Sequence, residues 1–161
     1  MIGLTRRYRF SASHRLHSPD LSESENARIF GKCNNPFGHG HDYVLEVGVT
    51  GPVHPLTGLI VPIPELDAFV EHYVLRLFAN KNINRDVPEF SGRLTATSEN
   101  IALVIAGIIQ RHWSGDFGNT RARLARIHLQ ETDRNGFELV LGAADRPALS
   151  PAEMESVTVH G

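Results

Sequence analysis

The segment 39–49, HGHDYVLEVGV, alternates residue by residue between two kinds of side chain. A period of two is typical of a β-strand that is buried on one face. The apolar face of this strand comprises His39, His41, Tyr43, Leu45, Val47 and Val49. Because side chains two positions apart in a strand point the same way, the two imidazoles should lie side by side next to the core. This segment therefore predicts a sheet that carries a pair of histidines on its buried face.

The other periodic segments predict the element order ββααββ. The remaining strands are predicted at 5–14, 124–131 and 137–142, and the helices at 64–78 and 98–113. Pro64 suits the first turn of one helix, Thr97 is a candidate N-cap of the other, and Asn135-Gly136 is a strong hairpin signal. We predict an α+β fold in which two helices cover one face of a four-stranded antiparallel sheet, with a long, turn-rich connection over 15–38.

The length of 161 residues predicts a single domain, which we place at 1–145, followed by a C-terminal tail at 146–161. The SVTVH run of the tail could add a strand or stay mobile. A formal net charge of −2 argues against nonspecific nucleic-acid binding, which needs a basic patch. No apolar run approaches about 18 residues, so we expect no membrane span. A single cysteine, Cys33, cannot form an internal disulfide, which predicts a cytoplasmic setting.

The paired histidines predict a metal site. Two buried imidazoles need a bridging partner, and His14, at the end of the neighbouring strand, can meet His39 and His41 in a hairpin. Three histidines leave one tetrahedral position open, which is typical of catalytic zinc. We expect Gly40, between the two histidines, to let a second element approach closely. The alternative is a hydrogen-bonded histidine pair without a metal.

Cys33 lies six residues before His39 and allows three interpretations. It could be a fourth zinc ligand, which would close the site and make it structural. It could be a catalytic thiolate beside an electropositive centre. It could also be a small buried apolar residue without a chemical role.

Five short runs occur in a characteristic order between about residues 5 and 142. They are FSASHRL (10–16), FGKCNNPFGHGHDY (30–43), KN-I-N-x-D-x-P (81–88), TSEN (97–100) and ETDRN (131–135). In order and approximate spacing they resemble the 6-pyruvoyl-tetrahydropterin synthase family. The distance from the cysteine to HGH resembles the tetrahydrobiopterin-pathway branch and is longer than in the queuosine-pathway carboxy-tetrahydropterin synthases.

The resemblance implies the tunnelling fold, in which ββααββ subunits close a barrel as trimers and stack into hexamers with active sites at subunit interfaces. It implies zinc ligands at His14, His39 and His41, a proton-transferring Cys33 and a pterin-anchoring Glu131. It also places pterin contacts at Thr97 and Ser98. The row Ile127, Leu129 and Glu131 shares a strand face, so the carboxylate should point inward and could accept two parallel hydrogen bonds from a pterin. Without the resemblance, Glu131 would be interpreted as a solvent-exposed hairpin residue.

Two positions depart from the family pattern. The family's Leu-Asp-His-Lys-Asn run is here Phe78-Ala79-Asn80-Lys81-Asn82, so the Asp-His pair that relays protons with the cysteine is missing. Alanine and asparagine cannot act as general acid or base at neutral pH. Pro62 stands where the family usually has Asp or Asn. Three further histidines could supply an imidazole, namely His17, His72 and His128, although we expect His72 and His128 to face away from the site.

The sequence therefore favours a zinc-dependent lyase that processes a small pterin. The expected reaction is loss of triphosphate from 7,8-dihydroneopterin triphosphate, or rearrangement of a related pterin side chain, with a weakened proton relay. One alternative is a relative that cleaves the side chain by a retro-aldol step. Another, from a different class, is a zinc- and pterin-binding protein with little or no catalysis.

Overall fold

The computed structural model describes residues 2–142, which form a mixed α+β unit. Its strands are β1 (Ile2–His14), β2 (His39–Gly51), β3 (Lys81–Asn82), β4 (Arg123–Gln130) and β5 (Gly136–Val140). Its α-helices are α1 (Glu23–Phe30), α2 (Ile63–Val70), α3 (Arg76–Phe78), α4 (Ile83–Asp86) and α5 (Ser98–Phe117). A π-helical turn, Glu71–Leu75, joins α2 to α3, and 3-10 turns occupy Gly31–Asn34 and Pro88–Phe90. The expected C-terminal tail lies outside the described residues.

The sheet has the strand order β3-β1-β2-β4-β5. β1 and β2 pair antiparallel along their full length, from Ile2 opposite Gly51 to His14 opposite His39. β2, β4 and β5 continue the antiparallel pattern. The sheet thus has five strands rather than the four expected, because β3 pairs parallel to β1 at Ala12 and Ser13. A two-residue strand is too short to leave a periodic signal in the sequence.

The helices between β2 and β4 cover one face of this sheet and build the core against it. In the helical segment predicted at 64–78, the apolar side chains of Leu66, Phe69, Val70, Val74 and Phe78 are all buried. They meet the apolar face of β2, where Tyr43, Leu45, Val47 and Val49 are also buried. Thr97 caps α5 as expected, with its side chain accepting from the backbone N–H of Asn100. Within residues 2–142, no helix has the length and apolar character needed to cross a bilayer.

The connection 15–38 is not wholly irregular, because it contains α1. Ser22 and Glu25 form a reciprocal capping box at the start of this helix, in the S-x-x-E pattern that marks helix N-termini. The helix lacks a broad apolar stripe, and its one buried residue is Asn26. The amide of Asn26 bonds the backbone of Ser18, Leu21 and Ser22. A helix held by polar contacts is missed when only hydrophobic period is considered.

Candidate functional site

Three histidines converge where β1 and β2 end. His14 lies opposite His39 in the ladder, and His41 lies opposite Ala12, so all three imidazoles occupy one corner of the buried sheet face. Their ring centroids are 4.7 Å apart for His14 and His39, 5.1 Å for His14 and His41, and 4.8 Å for His39 and His41. One ligand nitrogen from each residue lies within 4.8 Å of the other two. The period-two pattern therefore led to the correct clustering.

Hydrogen bonding fixes the proton on His14. Its Nδ1 lies 2.8 Å from the carbonyl oxygen of Ala96, which can only accept, so Nδ1 carries the hydrogen. The Nε2 lone pair of neutral His14 then points at Nε2 of His39, 3.1 Å away. A backbone carbonyl behind Nδ1 is a common second contact of metal-bound histidine. Burial, the largest cause, lowers the pKa of His14 to about 4 and also lowers that of His39. At neutral pH these imidazoles are therefore in the form that binds metal.

The cluster fits a metal ion better than it fits an unbridged set of histidines. Nε2 of His41 is buried and has no hydrogen-bond partner among the described residues. A buried polar nitrogen without a partner costs free energy, and a metal ion shared with His14 and His39 would satisfy it. Cys33 lies outside the group of atoms within 4.8 Å, so the geometry does not favour a closed, four-ligand structural site.

Gly38, rather than Gly40, is the glycine that this corner requires. An added Cβ at Gly40 would be 3.6 Å from the carbonyl oxygen of Ala12, an ordinary contact. At Gly38 the φ angle is 70°, and an added Cβ would be 2.8 Å from the carbonyl oxygen of His14. The expectation of a close approach at Gly40 is therefore wrong. The close approach lies two residues earlier, where the chain enters β2.

Glu131 faces the histidines and not solvent. Its Oε1 atom lies 3.6 Å from Nε2 of His14 and 3.7 Å from Nε2 of His41, and its side chain is 15% exposed. Ser98, at the start of α5, donates from Oγ to the same Oε1 at 2.7 Å. The backbone N–H of Glu131 donates to Asn135 across the hairpin, which fixes the residue at the end of β4. The carboxylate thus keeps Oε2 available for another donor.

Tyr43 forms the buried floor below these groups. Its hydroxyl lies 3.4 Å from Nδ1 of His14, and its ring stacks on Phe10 at 5.1 Å. Burial raises the pKa of Tyr43, and the nearby carboxylate of Glu131 raises it further, so the phenol stays protonated.

The segment that contains Cys33 is tied to the end of β1. The N–H of Leu16 donates to the carbonyl oxygen of Cys33 at 2.9 Å. Arg15 donates from Nε to the carbonyl oxygen of Asn34 at 3.0 Å and from Nη2 to its Oδ1 at 3.1 Å. Nδ1 of His17 lies 3.0 Å from the same Oδ1. The sequence does not predict the bonds between Arg15 and Asn34. The only indication of these two residues is their place in the runs FSASHRL and FGKCNNPFGHGHDY.

The two residues at the relay position lie on the outer edge of β1. Ala79 closes the helical segment, and the N–H of Asn80 donates to the carbonyl oxygen of Ser11 at 2.7 Å. Asn80 has a φ angle of 59°, a left-handed conformation that asparagine tolerates. Asn80 and His41 line the same cavity of about 500 Å³. Ser11, Ser13, Gly40 and Asp42 line the same cavity, and in the two-residue alternation of β1 and β2 they lie on the sheet face opposite the imidazoles.

The remaining positions that the sequence singled out lie away from this corner. His72 is exposed on its helix, as expected. His128 faces Glu46, with 3.9 Å between Nδ1 and Oε2, on the other side of the sheet from Glu131. Pro62 is the N-cap of α2 and makes no side-chain capping bond. Asp and Asn, which the family usually has at this position, are good N-cap residues, so Pro62 replaces a residue type that can cap the helix with its side chain.

Comparisons with known proteins agree with this geometry. The family model described as 6-pyruvoyl tetrahydropterin synthase matches residues 3–140. The chain is 43% identical to the 6-pyruvoyl tetrahydrobiopterin synthase of Homo sapiens over 132 residues, which cover 82% of this chain and 86% of the human protein. It is 47% identical to the protein of that name in Drosophila melanogaster over 102 residues, 63% of this chain and 60% of the fly protein.

A solved structure gives the same result for the fold. The 6-pyruvoyl tetrahydropterin synthase of Caenorhabditis elegans superposes with a TM-score of 0.79 at 34% identity, covering 88% of this chain and 96% of the worm chain. The predicted tunnelling fold is confirmed by this match. With a family match over almost the whole described region and these relatives, the chain belongs to the 6-pyruvoyl tetrahydropterin synthase family, a family of lyases.

Proposed function

We propose that this protein is a zinc-dependent lyase that acts on a pterin. The substrate is 7,8-dihydroneopterin triphosphate or a close relative, and the reaction releases triphosphate or rearranges the pterin side chain. The observation that carries the proposal is the three-histidine cluster with an unpartnered Nε2 on His41 and the carboxylate of Glu131 beside it. Relatives named 6-pyruvoyl tetrahydrobiopterin synthase support the choice of substrate class.

His14, His39 and His41 are the residues that would hold the metal. When bound, zinc supplies Lewis acidity that polarises side-chain oxygens and acidifies the adjacent C–H bonds. The carbonyl of Ala96 keeps the hydrogen of His14 on Nδ1, so that its Nε2 remains a ligand. Imidazole ligands suit zinc among the common divalent ions, and three of them leave a position for a water or substrate oxygen.

Glu131 is proposed to anchor the pterin. A carboxylate can accept two parallel hydrogen bonds from the amino group and an adjacent ring N–H of a pterin, a strong and directional arrangement. Ser98 supports this role because its hydroxyl orients Oε1 from the protein side. Contacts from Thr97 and Ser98 to the pterin itself remain predictions. The side-chain oxygen of Thr97 already caps α5, so any contact from it would have to share that oxygen.

Cys33 is proposed to transfer protons between positions on the substrate. The family's Asp-His pair would assist such a cysteine, and Ala79 and Asn80 cannot replace either member. Each lost general acid or base typically costs about 10²–10⁴-fold in rate. This departure favours the second candidate function, a zinc- and pterin-binding protein with weak catalysis. A retro-aldol cleavage of the side chain would need only the polarised diol and one base, and it is the other reaction to test.

The active unit is proposed to be a homohexamer with active sites at subunit interfaces. Among residues 2–142, β1 has a strand on its outer side only at Ala12 and Ser13, and β5 ends the sheet on the other side. Such open edges are commonly covered by pairing with another chain. The cytoplasmic setting expected from the lone cysteine also remains a prediction.

The direct test is product analysis with zinc-loaded protein. We would incubate it with 7,8-dihydroneopterin triphosphate and follow substrate, triphosphate and pterin products by mass spectrometry. Release of triphosphate that disappears in a His39→Ala/His41→Ala variant supports the lyase. Pterin binding that is lost in Glu131→Gln, without any product, favours the binding protein, and a shortened side chain favours the retro-aldol reaction. A protein that neither binds nor converts the pterin would refute a pterin function.

A further inference from the structure

Glu131 approaches the histidine cluster closely enough to share its metal ion. Its Oε1 atom lies 3.6 Å from Nε2 of His14 and 3.7 Å from Nε2 of His41. Around tetrahedral zinc with bonds of about 2.0–2.1 Å, neighbouring ligand atoms are about 3.3–3.4 Å apart. Nε2 of His14 and Nε2 of His39, at 3.1 Å, have a similar spacing. Both distances to Glu131 are therefore close to those between two ligands of one metal ion.

The nitrogens that face Oε1 need a cation between them and the carboxylate. Nε2 of neutral His14 has a lone pair, because the hydrogen of this ring is on Nδ1. Nε2 of His41 is buried and has no hydrogen-bond partner among residues 2–142. A carboxylate only accepts hydrogen bonds, so it cannot bond to the lone pair of His14. A proton on Nε2 of His41 would satisfy one of the two contacts, whereas a metal ion satisfies both.

The lone pairs of Oε1 limit what Glu131 can bind at one time. A carboxylate oxygen has two lone pairs, and one of those on Oε1 accepts from Oγ of Ser98 at 2.7 Å. The other can bind the metal or accept from a pterin, but not both. The pterin anchor proposed for Glu131 uses both carboxylate oxygens for two parallel hydrogen bonds. Glu131 therefore cannot hold a pterin in this way while Oε1 binds the metal.

The side chain of Glu131 can change partners without a movement of the strand. The bond from its backbone N–H to the carbonyl oxygen of Asn135 fixes the residue at the end of β4. A glutamate side chain turns about several single bonds, and Oε2 has no hydrogen-bond partner among the described residues. A movement of the carboxylate away from the histidines therefore disturbs only the hydrogen bond from Ser98.

We propose that Glu131 is a ligand of the metal ion in the substrate-free protein and leaves the metal when a pterin binds. The bond between Oε1 and the metal breaks, and hydrogen bonds from the amino group and a ring N–H of the pterin form at the carboxylate. The vacated position is then open to water or to a side-chain oxygen of the pterin, and no further reactant is needed. The metal thus gains its open position only when a pterin is present. This proposal rests on the proposed function for its metal and its ligand class.

Cobalt(II) in place of zinc reports on the ligands, because its visible absorption depends on their number and geometry. We would compare cobalt-loaded wild type, Glu131→Gln and Asp133→Asn. Asp133 is an exposed carboxylate of the same hairpin and is the matched control for the loss of one negative charge. The probe is 6-methylpterin, which has the amino and ring N–H groups of a pterin but no side-chain oxygen that could bind the metal. Its binding is followed separately by its fluorescence.

We expect wild type and Asp133→Asn to share one cobalt spectrum and Glu131→Gln to differ from both, because water replaces the carboxylate. Glu131→Gln should bind cobalt about ten-fold or more weakly than Asp133→Asn. Saturation with 6-methylpterin should convert the wild-type spectrum into that of Glu131→Gln. Identical spectra of wild type and Glu131→Gln, or a wild-type spectrum that bound 6-methylpterin leaves unchanged, would overturn the proposal. If Glu131→Gln does not fold, the titration of wild type with 6-methylpterin is decisive by itself.

The outcomes separate this proposal from the function on which it rests. One shared spectrum in wild type and Glu131→Gln, with cobalt and pterin bound in wild type, contradicts the role of Glu131 as a ligand and leaves the lyase intact. A wild type that binds no metal contradicts both proposals. If wild type binds metal but no pterin, the proposed function fails, while the spectra of wild type and Glu131→Gln still decide whether Glu131 is a metal ligand.

Discussion

At the scale of single residues, the two nitrogens of His14 have different tasks. Nδ1 donates a hydrogen bond to the carbonyl oxygen of Ala96, and Nε2 faces the other histidines. Because His14 has no exposed surface, the folded structure, and not contact with water, determines which nitrogen carries the hydrogen. The same burial that prepares the residue for a metal makes its protonation unfavourable.

The lowered pKa of His14 predicts acid sensitivity of the metal-free protein. The pKa falls from 6.5 to about 4 on folding, so the unfolded chain binds a proton that the folded chain does not. Stability is therefore fully present above about pH 6.5 and declines as the pH falls toward 4. The chelated wild type should lose about 2–3 kcal/mol more free energy of unfolding than chelated His14→Gln between about pH 7 and pH 4.5, measured by urea denaturation. Equal losses would contradict this assignment.

The sequence predicted the three histidines but not the hydrogen bonds that orient the site. His39 and His41 are two positions apart in a strand, and His14 ends the strand that pairs with it, so period and topology suffice. The bond from Ser98 to Glu131 joins positions 33 residues apart, and the bond from Arg15 to Asn34 joins positions 19 apart. Such side-chain bonds depend on how loops and helix ends meet, which no periodic pattern records.

At the scale of elements, the entry into β2 is the most constrained turn of the site. Gly38 and Gly58 both have a φ angle of 70°, but an added Cβ at Gly58 meets nothing within 4 Å. Gly58→Ala should lose about 1 kcal/mol of unfolding free energy from backbone strain alone. Gly38→Ala should lose roughly 2 kcal/mol more, because its Cβ would collide with the carbonyl of His14. Urea unfolding of the two variants measures the difference, and equal losses would show that the contact with His14 does not constrain the turn.

The turn between α3 and β3 allows a test of whether the missing pair limits turnover. If it does, Ala79→Asp/Asn80→His should raise triphosphate release above the wild-type rate by about 10²-fold or more. Lys81 and Asn82 match the family run, which fixes where the two lost residues belong. Triphosphate release would be measured in wild type, in the double variant, and in the double variant with Cys33→Ala. No gain in the double variant, with pterin binding intact, would show that the site has diverged beyond these positions.

Elements with strong hydrophobic period were predicted from the sequence, and the others were not. The helical spacing of apolar residues such as Leu66, Phe69 and Val70 predicted one helix, and the alternation after His39 predicted β2. By contrast, α1 depends on a capping box and a buried asparagine, and β3 has two residues. Their formation is determined by polar and backbone contacts with β1 and its following loop, which become defined only when the chain is folded.

At the scale of the whole molecule, the sheet face away from the helices is charged. Glu46 bonds Arg7 at 2.6 Å and Arg126 at 2.7 Å, and Arg126 also bonds Glu138 at 2.6 Å. A sheet face with these charged pairs is stable in contact with water. The outer edges of β1 and β5, by contrast, have backbone groups without a partner strand over most of their length. We expect sedimentation equilibrium at micromolar concentration to give six times the mass of one chain. A monomer under these conditions would contradict assembly through the edges.

The central claim is that three histidines bind one zinc ion per subunit and that pterin chemistry depends on it. The most direct measurement is the zinc content of purified wild type, His39→Ala/His41→Ala and His72→Ala, determined by mass spectrometry of the metal after dialysis. We predict about one zinc per chain in wild type and His72→Ala, and almost none in the double variant. Full zinc retention by the double variant would contradict the claim.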